Sequence, residues 1–243
     1  MSTQPEKRDA GAWARPVDRL TANEGHINVT GRRPTAPMNG FGRMWQKTYR
    51  ASLGSARVTP AEAIAAWKER FPEFWPAGNR FFAPLAGIEP GEVAALDLTM
   101  PGGLKLSTGV LVLYADEESF TLMTPEGHMF AGWITFSSFV EDGETCVQAQ
   151  VLMRASDPLY ELGMALGGHR QEDAHWVHTI GSLASHFGVA AQVSTQAVCV
   201  DRKRQWSRAP NVWHNAGIRS GMHMAGTPFR ALRRAARRSG KDG

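Results

Sequence analysis

Cysteine is scarce in this chain: Cys146 and Cys199 are the only two among 243 residues, and both sit in apolar stretches with no partner at metal-ligand spacing. A disulfide framework and a zinc site are therefore not expected, and two buried thiols in a reducing compartment are. Long hydrophobic runs are also missing, since no stretch approaches the ~18 apolar residues that a membrane span needs. Glu6, Lys7, Arg8 and Asp9 give the N-terminus charge where a secretory signal would carry its apolar stretch, so the sequence reads as cytoplasmic. The chain has no GxSxG elbow, no phosphate-binding glycine loop and no paired catalytic carboxylates. No reaction is named by such a sequence, and no cofactor or metal is called for.

Charge is present but segregated. Residues 1–60 carry +6, residues 61–200 carry −11 and residues 201–243 carry +9, which together make the net +4. An acidic body between two basic arms satisfies itself if the arms lie against the body. The same arms could instead meet an anionic partner, either nucleic acid or a membrane surface. This organisation divides the chain into a basic N-terminal arm (1–55), a core (56–200) and a basic C-terminal extension (201–243).

Within the first arm, Phe41, Met44, Trp45 and Tyr49 recur at helical spacing with Arg43, Lys47 and Arg50 between them, which predicts a short amphipathic helix. Thr59, Pro60 and Glu62 supply an N-cap, a proline at the first helical position and a capping-box acid. Ile64, Trp67 and Phe71 mark the buried face of that helix, and Pro72 stops it. Phe74 to Pro90 reads as a folded aromatic loop.

Five strands follow, at residues 92–100, 104–114, 119–123, 129–140 and 144–154, separated by turns so short that neighbours should pair as an antiparallel meander. Asp157 and Pro158 then open a long helix that Gly188 ends, with Gly167 and Gly168 predicting a kink. Leu162, Leu166, His169, Trp176, Ile180, Leu183 and Phe187 fall on its apolar stripe, with Gln171, Glu172, His175 and His178 off it. A last strand spans residues 192–200. Beyond Pro228, Phe229 and Leu232 share a cationic surface helix with Arg233, Arg234 and Arg237.

The fold class is thus α+β, an antiparallel sheet wrapped on a long C-terminal helix, with basic extensions at both ends. This order resembles the START-like helix-grip superfamily, which includes polyketide cyclases and lipid-transfer domains. The resemblance is carried by residues 91–190, above all by Phe120 to Trp133, with its Thr124-Pro125-Glu126-Gly127-His128 turn, and by the Leu159 to Phe187 helix. It implies a cavity between sheet and helix that holds an apolar small molecule or lipid. Trp133, Phe136, Val151, Leu166 and Trp176 would line it. The last strand and the two arms depart from the superfamily's pattern, and no catalytic residue is carried over from it.

Candidate chemistry rests on few residues. His169 shares the apolar stripe, and Asp173 one turn on could orient its ring as a general base; a structural histidine holding helix to sheet is the other reading. His128, beside Glu126 in the turn between strands, could touch a ligand at a cavity mouth or simply belong to the turn. These three would serve a cyclase or hydrolase. His175 and His178 lie three apart on the polar stripe and read as solvent-facing rather than as metal ligands. Arg202, Arg204, Trp206 and Trp213 could neutralise phosphates and stack bases, or dock on the acidic core.

Overall fold

The computed structural model describes residues 10–22, 28–54, 56–100, 103 and 105–223. An eight-stranded antiparallel sheet forms its frame, in the order β2-β3-β4-β5-β6-β7-β1-β8. The strands are β1 (Met44–Ser52), β2 (Arg80–Phe82), β3 (Val93–Thr99), β4 (Lys105–Ala115), β5 (Ser119–Met123), β6 (Phe130–Glu141), β7 (Glu144–Ala155) and β8 (Ser194–Asp201). The meander β3 to β7 pairs each strand with the next, as the short turns require.

Residues 44–52 are not the expected amphipathic helix. They form β1, paired along its whole length with β7 and on its other edge with β8. Alternation, not helical spacing, decides which side chains go in: Lys47, Tyr49 and Ala51 are buried, as is Leu53 just beyond. The sheet therefore takes a strand from within the residues read as an arm.

Helix α1 (Pro60–Arg70) begins as its sequence dictates. The Thr59 hydroxyl accepts from the Glu62 amide, and the Glu62 carboxylate accepts from the Thr59 amide at 2.7 Å. Its Ile64 and Trp67 are fully buried against the inner face of the sheet. There Phe71 meets Trp75, Phe81, Phe120 and Phe136 edge-on, while Phe120 and Phe136 stack at 4.6 Å. The aromatic loop after α1 contributes β2 and buries Phe74, Trp75 and Phe81, but it leaves Phe82 half exposed and Leu85 fully so.

The long helix comes in pieces. α2 (Pro158–Gly163) is capped by Asp157, which accepts from the Leu159 and Tyr160 amides. A π turn (Met164–Gly168) carries non-helical backbone at Leu166 and, at φ +121, Gly167. α3 (His169–His186) follows and ends before Gly188, at φ +75. The break shifts the helical phase. Ile180 and Leu183 reach the core, whereas Leu162 and Leu166, assigned to the same stripe, point to solvent and Glu172, assigned to the polar side, is buried. The helix is also not the end of the fold, because β8 and a 3-10 helix (Trp206–His214) come after it.

The outer face of the sheet is covered around β3 to β5 by both ends of the described chain. Leu20 and Val29 pack on Leu111, and Trp13 packs edge-on to Tyr114 at 4.7 Å. Asn28 donates to the Ser107 carbonyl, to the Ala216 carbonyl and to Ser220, which stitches the N-terminal segment to helical residues 216–223. Among the described residues no helix is long and apolar enough to cross a membrane.

Candidate functional site

Register across the sheet sets the floor of the site. Leu122, Ile134, Val151 and Lys47 face one another on β5, β6, β7 and β1 in a single cross-strand row. The next row holds Phe120, Phe136, Ala149 and Tyr49. Above the first row, between sheet and helices, lies a cavity of ≈ 620 Å³. Its floor is Val110, Leu122, Ile134, Val151 and Met153, and Leu96 and Leu98 extend it along β3. Tyr160, Gly163, Met164, Gly168, Glu172 and Trp176 roof it, Trp75 and Phe81 close one end, and His128, Met129 and Phe130 stand at another.

Of the residues expected to line a pocket, Trp133, Val151 and Trp176 do. Phe136 does not; it is fully buried one row over, with its ring 5.6 Å from that of Trp176. Leu166 is on the outside, 79% exposed, because the π turn rotates it away.

Beside the cavity, a lysine of β1 reaches up from the sheet to the carboxylates of α3. Lys47 is 2% exposed on its side chain, and its Nζ donates to Glu172 Oε2 at 2.8 Å and to Asp173 Oδ1 at 2.7 Å. The Tyr49 hydroxyl donates to the same Asp173 oxygen at 2.6 Å. Glu172 is sealed from water, its side chain 5% exposed, whereas Asp173 is 36% exposed. Burial lifts the Glu172 carboxyl from its ordinary 4.5 to about 7, with Lys47 opposing and Asp173 reinforcing the shift. The Tyr49 phenol is pushed up by burial and by Glu172. Glu172 Oε1 has no hydrogen-bond partner among the described residues.

The expected His169 and Asp173 pair does not form. Asp173 gives its carboxylate to Lys47 and Tyr49, while the His169 ring packs edge-on to Trp45 at 4.9 Å, held below its ordinary pKa first by burial and then by Lys47. Neither residue lines the cavity. His128 does, buried, with Nδ1 accepting from the Phe130 amide at 3.0 Å and burial pushing its pKa down to about 4. His128, His169 and Asp173 are therefore not gathered around one space, as the cyclase or hydrolase reading requires.

His175 departs from its solvent-facing reading. It lines the cavity, meets Trp75 edge-on at 4.9 Å, and is pushed down to about 4 by burial; His178 lines the cavity too but stays exposed. No cluster of three or more metal-ligating side chains occurs among the described residues.

Sequence reasoning missed Lys47 and Glu172. The alternation of Trp45, Lys47, Tyr49 and Ala51 was the available signal for the first.

The basic segment after β8 meets the acidic body in part. Arg204 pairs with Glu161 at 3.0 Å, and Arg154, 1% exposed, holds Asp201 and donates to the Lys203 carbonyl. Arg202 is exposed. The docking expected of the indoles is corrected: Trp206 touches Phe41 edge-on at 5.2 Å but is 72% exposed, and Trp213 is 82% exposed. Arg233, Arg234 and Arg237 lie outside the described residues.

An antiparallel sheet closed on a helix, with a cavity between them, defines a helix-grip-like α+β fold. Similar solved structures include a START superfamily protein from Mycobacterium smegmatis, at 20% identity and TM-score 0.38, covering 60% of this chain and 98% of that one. Another is Ara h 8.0201, at 13% identity and TM-score 0.43, covering 59% and 97%. A third is the di-domain ARO/CYC StfQ from the steffimycin biosynthetic pathway, at 10% identity and TM-score 0.46, covering 63% of this chain and 54% of that one. No protein-family model and no curated protein matches the sequence.

Proposed function

We propose that this chain binds an apolar small molecule or lipid in the cavity between the sheet and α3. The observation that carries the reading is the cavity itself: its ≈ 620 Å³ falls within the range of about 300–1,000 Å³ typical of small-molecule sites, and its floor is aliphatic. Its polar lining includes Glu172 and His175 on α3 and Thr124 and His128 in the β5–β6 turn, so a ligand would lay its apolar body along the strands and present any polar group to one of these edges.

Native mass spectrometry of the protein as purified, followed by denaturing extraction, tests this directly, and the neutral fluorophore 1-aminoanthracene serves as a displaceable probe. A bound small molecule or saturable probe binding is expected. Val151→Trp, which fills the floor, should abolish probe binding while preserving the circular dichroism spectrum. A clean apo mass together with no saturable binding by the wild type overturns the proposal.

A further inference from the structure

α2 and the π turn after it are apolar on both sides. Tyr160, Met164 and the intervening Gly163 face the cavity, yet Leu159, Leu162 and Leu166 from the same short stretch are 50%, 56% and 79% exposed. A surface helix ordinarily buries one stripe and wets the other. Here the outer side carries three leucines where polar residues would suffice, which marks an interaction surface.

The charge around them says what it meets. Arg43 and Arg204 both converge on Glu161, next to Leu162, at 3.5 and 3.0 Å. That carboxylate is enclosed, its side chain 10% exposed, so the charge turned outward is the arginines'. Arg170, also exposed, follows the π turn. Trp206 stands beside this group on Phe41. Exposed leucines with an indole, rimmed by arginine, are the composition of an element that lies in a lipid headgroup layer.

We propose that this face docks on an anionic lipid bilayer, with Leu159, Leu162 and Leu166 entering the acyl boundary and the arginines meeting lipid phosphates. Nucleic acid would be served by arginine and tryptophan but gives three leucines nothing to pack on. A second copy would bring one basic rim against another. Docking also places the cavity wall made by Tyr160, Gly163 and Met164 against lipid, and the non-helical backbone at Leu166 and Gly167 is where that wall would open. This last point rests on the apolar-ligand reading; the docking itself does not.

The test is flotation of the full chain with vesicles of phosphatidylcholine plus phosphatidylglycerol, and with phosphatidylcholine alone. The wild type should float with the anionic vesicles only. Leu162→Ser/Leu166→Ser keeps every arginine, including those of the C-terminal tail, and should lower the partition coefficient roughly tenfold or more. Its 1-aminoanthracene binding should be unchanged. Leu166→Ser alone, at the most exposed of the three positions, should move the same way and covers the case in which the double variant misfolds. A wild type that does not float, or leucine variants that float as well as it does, overturns the proposal. So does leucine-dependent dimerisation in size-exclusion light scattering, or tighter leucine-dependent binding to a single-stranded oligonucleotide than to vesicles. Leucine-dependent flotation without any 1-aminoanthracene binding would retire the cavity reading and leave the docking surface standing.

Discussion

Glu172→Gln should change how stability depends on pH, and the sign follows from the direction of the shift. In the folded protein the Glu172 carboxyl titrates at about 7, above its ordinary 4.5, so the folded state holds this proton more tightly than the unfolded state does. Its stabilising effect is complete below pH 4.5 and is lost as pH rises through about 7. At about 1.36 kcal/mol per pH unit, a shift of this size amounts to about 3 kcal/mol. Glutamine stays neutral and can still accept from Lys47. The two proteins should therefore be equally stable in acid, with the variant the more stable by about 3 kcal/mol above neutrality.

His128 and His175, both pushed down to about 4, erode stability as pH falls below 6.5. That loss is common to both proteins and cancels in the difference. Urea unfolding across this range, followed by tryptophan fluorescence, gives the difference directly. A constant gap would refute the reasoning. So would a variant that is less stable at high pH, because Lys47 would then be holding the carboxyl in its charged form.

Lys47→Met strands the buried Glu172 without its cation and should cost about 3–5 kcal/mol in urea unfolding above neutrality, where that carboxyl is charged; adding Glu172→Leu should restore much of it. At Gly127, whose φ is +89, a Cβ would land on the His214 carbonyl oxygen. Gly127→Ala should cost about 2 kcal/mol and raise hydrogen exchange across residues 206–223, including the Ala216 amide that donates to Gly127. Thr59→Ala removes one half of the α1 capping box and should lower stability by about 1 kcal/mol in the same assay, with no effect on ligand binding.

The meander was legible because its signals are local: alternation along each strand, and turns too short for anything but antiparallel neighbours. The capping box of α1 was equally plain, since all its partners lie within four residues. β1 was not legible. Its aromatic residues happen to fall at helical spacing, and its strand alternation includes a lysine, a residue that enters a core only with partners. Those partners, Glu172 and Asp173, lie 125 and 126 positions away, beyond any local pattern. The helical stripe failed for a different reason. Gly167 and Gly168 announced a break but not its rotation, so residues before it and after it were placed on one face when they occupy two. Of the five residues expected to line the cavity, Trp133, Val151 and Trp176 do; Phe136 is one cross-strand row away, and Leu166 is lost because its direction depends on the phase of the helix.

The position of β1 also orders events in time. Met44 pairs with Arg154, and Trp45 with both Met153 and Cys199, so the first strand made has no neighbour until about ninety further residues have followed. The meander can assemble while that strand waits. Pairing β1 with β7, and β8 with β1, closes the largest sequence separations in the sheet, and the slowest step of folding should be that closure. Until β1 docks, β7 has an open edge and Lys47 stays outside the interior, and β8, which pairs with β1, can add only afterwards.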